Sequence, residues 1–191
     1  KEDTLKLKEI FSKMESFFHG KSSGIDPLNS YIQFPLLIKS KTDIETVGIP
    51  RNKANGNSAI FLVNTGSPGK TEPVVNLFLD KCNDPDYFSI INDEFIPLNN
   101  SCITNLITGD LNPFFNDLHA LSEIQFNHFK EMIPNDYLNV WKKGLDSDDY
   151  KLKLCGSGGG GYLLGFTEDL EKAQQYFHSK KMEIVTVYKS T

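Results

Sequence analysis

The chain has little cysteine, little histidine and no excess of positive charge. Its three cysteines, Cys82, Cys102 and Cys155, are odd in number and lie 20 and 53 residues apart, with no CxxC pair. This excludes a disulfide framework and a paired-cysteine zinc site, and it fits a reducing, cytoplasmic setting. Two of the four histidines, His119 and His128, fall in one predicted helix. Nine positions at about 100° each put them on opposite faces, so they cannot share a metal, and no metal site is expected. No apolar run approaches membrane-spanning length, and the opening Lys1-Glu-Asp-Thr-Leu-Lys6 is not a signal peptide. A formal net charge of −5 argues against nucleic acid or an anionic membrane as the main partner, because binding phosphates requires a basic field. What remains is an ordinary soluble composition, 39% hydrophobic and 24% charged over 191 residues, enough for one or two compact domains. The chain begins without a methionine and within a helical pattern, and it is read as a portion of a longer protein.

Against this plain background one stretch stands out, Lys153-Leu-Cys-Gly-Ser-Gly-Gly-Gly-Gly-Tyr162. Lys151 to Cys155 alternates polar and apolar residues, and Tyr162-Leu-Leu-Gly-Phe166 is an apolar run of strand length, so the pair predicts a hairpin. Gly156 and Gly158 to Gly161 are more glycine than a tight turn requires. The surplus points either to a backbone that a ligand or another loop approaches closely, or to a flexible tip.

In chain order, Leu7, Ile10, Phe11, Met14, Phe17 and Phe18 mark an amphipathic helix over 4–18, closed by His19-Gly20. In Lys21-Ser-Ser-Gly-Ile-Asp-Pro27, Asp26 reads as an N-cap and Pro27 as the first residue of a short helix running to Ile32. From the residues alone, Asp26 is either a capping carboxylate contributing about 1 kcal/mol or a carboxylate suited to accept a proton or orient a hydroxyl. Strands are expected over Gln33–Ser40, Thr46–Ile49 and, fully buried, Ala59–Asn64. The loop Thr65-Gly-Ser-Pro-Gly-Lys-Thr71 leads into a helix and is either an anion-holding helix N-terminus or a turn capped by Thr71; its spacing is not that of a Walker motif. Residues 85–134 read as mainly helical, interrupted at Pro97 and Gly109–Pro113. Phe126, Phe129, Tyr137 and Trp141 read as core. A helix capped by Thr167 or Asp169 and a final strand over Glu183–Tyr188 complete the pattern. From Ala59 onward the element order is that of a ferredoxin-like split βαβ antiparallel sheet, with its helices on one face.

His19-Gly-Lys-Ser-Ser-Gly-Ile-Asp26, Asn64-Thr-Gly-Ser-Pro-Gly-Lys-Thr71 and Lys153-Leu-Cys-Gly-Ser-Gly-Gly-Gly-Gly161 agree in order and spacing with three segments of the GHMP small-molecule kinases. The chain resembles that family, mevalonate kinases most closely, over nearly its whole length. The resemblance implies an α+β fold, with residues 1–58 as the end of the N-terminal kinase domain and 59–191 as the C-terminal ferredoxin-like domain. It implies transfer of the ATP γ-phosphoryl group to a small alcohol, with ATP and Mg2+ as cofactors. Asp26 is then the catalytic carboxylate, Lys21, Ser23 and Gly24 the substrate side, and Gly156, Ser157, Gly158, Gly159, Gly160 and Gly161 the support of the phosphate channel.

The departures matter as well. The family's serine-rich ATP loop and the Mg2+ ligands of its N-terminal half have no counterpart in these 191 residues, so the chain alone is expected not to turn over. The missing portion or a homodimer mate is the expected protein partner. Ser22 and Pro27 stand where mevalonate kinases carry proline and asparagine, which leaves the alcohol open among homoserine, phosphomevalonate, sugar and related substrates. The alternative reading is a non-catalytic ligand-binding or regulatory protein on the same fold.

Overall fold

A computed structural model of the chain describes residues 2–20, 22–50, 57–67 and 71–189. They fall into two compact units, one within residues 1–50 and the other within 51–191.

The first unit pairs α1 (Glu2–His19) with α2 (Ile25–Ile32) and adds an antiparallel ribbon of β1 (Leu36–Ile38) and β2 (Ile44–Thr46). Gly20 leaves α1 with φ +82°, as a helix-ending glycine does. The apolar stripe of α1 is only partly covered: Phe17 and Phe18 are exposed and stack edge-on, their centroids 5.1 Å apart. Both expected strands shrink or move. Gln33 still has the left-handed conformation that ends α2, so pairing starts only at Leu36, and the register Leu36↔Thr46 draws the second strand back to Ile44.

The second unit runs β3 (Ala59–Asn64), α3 (Thr71–Lys81), α4 (Pro85–Ser89), a wide π turn (Ile90–Phe95), α5 (Ile96–Thr108), α6 (Leu111–His128), α7 (Leu138–Leu145), β4 (Lys151–Leu154), β5 (Tyr162–Thr167), α8 (Leu170–Ser179) and β6 (Ile184–Lys189). The four strands lie in the order β4-β5-β3-β6, every neighbouring pair antiparallel. Of the two candidate caps of α8, Asp169 caps it, accepting from the Lys172 amide at 3.2 Å. Thr167 instead accepts from Asp169 N–H and donates to the Asp149 carbonyl at 2.6 Å.

Strand alternation sorts the core into two layers. Phe61, Val63, Leu152, Leu154 and Leu163 pack with Trp141 of α7 and with Ala173 and Phe177 of α8. On the other face, Phe166, Leu164 and Ile60 meet Cys102 of α5 and Phe114, Leu118 and Leu121 of α6. Helices thus cover both faces, not the single face expected. The cause is legible in β5: Leu163, Leu164 and Phe166 make an uninterrupted apolar run, which serves a strand buried on both sides.

The same layering changes the meaning of Lys151-Leu-Lys-Leu154. The lysines do not face water. Lys151 is 6% exposed, and its ammonium donates to the carbonyls of Gly144, at 2.9 Å, and Ser147. There it supplies donors and positive charge to the end of α7, where helix carbonyls lack partners. Burial lowers its pKa. On α6, the Trp141 indole donates to the Ser122 carbonyl at 3.2 Å. The Ser122 hydroxyl itself is fully buried and is the one buried side-chain polar atom without a hydrogen bond among the described residues.

No helix among the described residues is long and apolar enough to cross a membrane. No group of three His, Cys, Asp or Glu side chains among them is placed to hold a metal ion.

Candidate functional site

The glycine loop joins β4 to β5 and is ordered by identifiable contacts. Gly156, Gly158, Gly159, Gly160 and Gly161 all have positive φ, from +54° to +144°. The glycine count is therefore accounted for by backbone conformation, without a surplus to explain. Two positions add a close approach. A Cβ on Gly158 would meet the Met132 carbonyl oxygen at 2.8 Å, and one on Gly159 would meet Val74 Cγ2 at 2.8 Å.

Hydrogen bonds tie the loop on two sides. Gly159 N–H donates to the Met132 carbonyl at 2.6 Å. Gly161 N–H donates to the Ser67 carbonyl at 2.6 Å, and the Gly161 carbonyl accepts from both the amide and the hydroxyl of Thr65 at 2.9 Å. The loop after β3 thus locks onto the glycine loop, and the Tyr137 hydroxyl holds the Asn64 carbonyl at 2.7 Å beside it. Pro68, Gly69 and Lys70 lie outside the described residues. The described part of α3 starts at Thr71, and the expected cap, which turns on the Thr71 side chain, lies outside what the structure describes. The amides of Gly156, Ser157 and Gly160 donate to no described residue, which leaves them available to an anion.

In the first unit the expected cap is corrected. Gly24, at φ +71°, occupies the N-cap of α2, and Asp26 and Pro27 are the second and third residues of the helix. A glycine belongs there because a Cβ would lie 2.3 Å from the Lys8 carbonyl oxygen and 2.6 Å from the Ser12 nitrogen of α1. No larger residue allows that approach, and the cap position passes to it from Asp26. Asp26 is exposed and makes no hydrogen bond or ion pair with any described residue. Ser22 is tied down: its hydroxyl donates to Glu15 and accepts from the Gly24 amide, while its carbonyl accepts from Ser12 Oγ at 2.6 Å. Ser23 lines a depression of about 200 Å³ with Lys8, Glu9, Ser12 and Lys13. Lys21 lies outside the described residues.

Ser23, Gly24 and Asp26 lie in sequence at the start of α2 in the first unit, with Ser23 but not Asp26 lining the depression, and Gly156–Gly161 lie together with Thr65 and Ser67 in the second. Two participants had no sequence signal as site residues: Met132, which acts through its carbonyl, and Tyr137. Nothing in an aromatic side chain announces which backbone group it will hold.

Two units of this build, the second with its four strands in the order β4-β5-β3-β6, have the fold of the GHMP small-molecule kinases. Among solved structures the chain is similar to L. major mevalonate kinase in complex with R-mevalonate, at 17% identity and a TM-score of 0.68, over 93% of this chain and 56% of that one. It is also similar to Lactococcus lactis galactokinase complexed with galactose, at 15% identity and a TM-score of 0.65, over 98% of this chain and 60% of that one. For Streptococcus pneumoniae phosphomevalonate kinase in complex with phosphomevalonate and AMPPNP the values are 11% and 0.56, over 76% of this chain and 43% of that one. The chain thus spans between 43% and 60% of the length of these three kinases. No family model matches the sequence, and no curated protein matches it.

Proposed function

We propose that these residues belong to a GHMP-type kinase that transfers the γ-phosphoryl group of ATP to a small alcohol, mevalonate or a related hydroxy compound. Residues 1–58 are then the end of its N-terminal domain, and residues 59–191 its C-terminal, ferredoxin-like domain. The observation that carries the reading is the state of Asp26. Its carboxylate is not spent on capping α2 and is exposed in the first turn, with no described partner. The capping role is thereby removed; an aspartate in the first turn still complements the helix dipole, and its exposed carboxylate is available to a substrate hydroxyl.

When bound, Mg2+-ATP supplies the phosphoryl group and the charge neutralisation that the transfer needs. Asp26 would orient the acceptor hydroxyl and take its proton as the hydroxyl oxygen bonds to the γ-phosphorus and the bond from that phosphorus to the β,γ-bridging oxygen breaks, leaving ADP. Ser23, three residues before Asp26 in sequence, lines a depression with Lys8 and Lys13, which offer positive charge for an anionic substrate group. The free amides of Gly156, Ser157 and Gly160 suit phosphate oxygens, and Thr65 and Ser67 fix the loop that carries them. In this reading the protein ligands of Mg2+ lie mostly in the N-terminal part of the kinase, outside these residues.

The test is ADP release by the native gene product containing these residues, with Mg2+-ATP and mevalonate, phosphomevalonate, galactose or homoserine in turn. Alcohol-dependent ADP formation with one of them is expected. Tight binding of one of these alcohols without any ADP formation would instead establish a non-catalytic binding protein on the same fold.

A further inference from the structure

The second unit contains a cavity of about 220 Å³ that the phosphotransfer reading does not use. It lies between α3, α6 and β4, walled by Val74, Phe78, Phe95, Phe129, Met132 and Leu154, with Gly156 and Ser157 of the glycine loop at one side. No charged side chain among the described residues lines it. Away from the Gly156 and Ser157 side, a phosphate or carboxylate would lose its hydration among these apolar walls without compensation, so the body of the cavity suits neither a nucleotide nor an anionic substrate group.

Gln125 also lines the cavity, and it is only 4% exposed. Its carbonyl oxygen accepts from the Leu154 amide at 2.9 Å. Because a backbone N–H can be met only by the oxygen, the orientation of the carboxamide is settled, and its NH2 group is left with no partner among the described residues. That NH2 group is not fully enclosed in protein, since the Ser122 hydroxyl is the one enclosed side-chain polar atom without a bond among the described residues, so it is a donor that an occupant of the cavity can reach. The chain also departs from regular helix to shape this wall. The π turn over Ile90–Phe95 carries the Ile96 amide back to the Ile91 carbonyl, and the turn ends at Phe95, whose ring meets that of Phe129 at 5.0 Å. Such turns are rare and concentrate at functional sites.

We infer that this cavity is a binding site for a small uncharged molecule with an apolar body and one hydrogen-bond-accepting oxygen, which accepts from the Gln125 NH2 group. A dry cavity of about 150 Å³ holds benzene, so this one accommodates about six to ten non-hydrogen atoms. The site is coupled to the glycine loop through two of its own walls. Met132 holds the Gly159 amide at 2.6 Å, and Val74 lies against Gly159. An occupant that shifts either wall shifts the loop, so the ligand is a regulator of whatever that loop binds. The inference rests on the cavity and not on phosphotransfer, and its test uses no activity.

The probes are acetophenone, its near-isostere α-methylstyrene, in which the carbonyl oxygen is replaced by CH2, and benzoate, titrated into the isotope-labelled protein and followed by amide NMR. Acetophenone is expected to bind at least about tenfold more tightly than α-methylstyrene, the factor that one satisfied donor supplies. The shifts should centre on Gly156, Ser157 and Leu154 and extend to Gly158 and Gly159, and benzoate should not compete. Gln125→Glu keeps the oxygen that Leu154 needs and, above the pH at which its buried carboxyl ionises, removes the donor, so the preference between the first two probes should be lost as the pH is raised. Equal affinity for all three probes, shifts centred elsewhere, or no saturable binding of acetophenone would each overturn the inference. Because the probe comparison uses the unaltered protein, it stands even if Gln125→Glu fails to fold.

Discussion

Gly159 donates its amide to the carbonyl of Met132 at 2.6 Å, tying the loop between β4 and β5 to the turn that follows α6. The contact joins residues 27 positions apart in sequence and fixes the loop on the side away from Ser67. It explains why this glycine-rich segment is not a flexible tip. An ordered loop of this kind holds its free amides in place before a ligand arrives, and preorganisation is what makes such a cradle effective.

The loop glycines should not be equivalent. Gly156 and Gly158 both have positive φ, but a Cβ on Gly156 meets nothing within 4 Å, whereas one on Gly158 meets the Met132 carbonyl oxygen at 2.8 Å. Gly156→Ala should cost about 1–2 kcal/mol from backbone conformation alone. Gly158→Ala adds a clash with backbone that cannot swing aside, worth a further ~1–3 kcal/mol. Urea titrations of the two variants check the order, which equal midpoints would contradict.

Gly24→Ala should be the most damaging single change in the first unit. It combines φ +71° with a Cβ 2.3 Å from the Lys8 carbonyl oxygen, so α1 and α2 must separate. A loss of about 3 kcal/mol or more is expected, measured as the drop in helical circular dichroism on heating.

Ser122→Ala should stabilise the protein. The hydroxyl is fully buried and has no partner among the described residues, and alanine is also the better helix former. Removing an unsatisfied polar group of this kind yields ~1 kcal/mol, visible as a higher urea midpoint with an unchanged slope. The Trp141 bond to the Ser122 carbonyl is a backbone contact and survives the substitution.

Stability should fall on the alkaline side. Burial raises the Tyr87 phenol from 10.0 to about 12, helped by Cys82 and Glu131. Burial likewise raises the Cys102 thiol from 9.0 to about 12, helped by Asp117. Both groups hold their protons more tightly when folded. Their contribution is therefore complete below the unfolded pKa and is lost as the pH rises towards about 12. The loss starts near 9 for Cys102 and near 10 for Tyr87. Cys102→Ala should flatten the first part of the decline and Tyr87→Phe the second, in denaturation midpoints recorded from neutral pH upward.

The elements built on strong local signals were legible in the sequence. Ala59–Asn64 is a strand because its six residues are apolar almost throughout, and the hairpin around Gly156–Gly161 follows from two short strands separated by residues that only turn. What was not legible depended on three-dimensional neighbours. Lys151 reads only as a polar position in an alternating strand, and its burial against the end of α7 depends on that helix. Asp26-Pro27 reads as a cap until Gly24 is seen pressed against α1, which starts the helix earlier. The pairing of residue types at 23, 24 and 26 was visible, but the exposure and free state of Asp26 were not.

The central claim is that Asp26 acts on the acceptor hydroxyl, and the most direct measurement is the turnover of Asp26→Asn in the native gene product. The side chain keeps its shape and its place in the first turn of α2 but cannot accept a proton. The account expects kcat to fall by about two to four orders of magnitude, with KM for the alcohol and the thermal midpoint little changed. Turnover equal to that of the unaltered protein would contradict it.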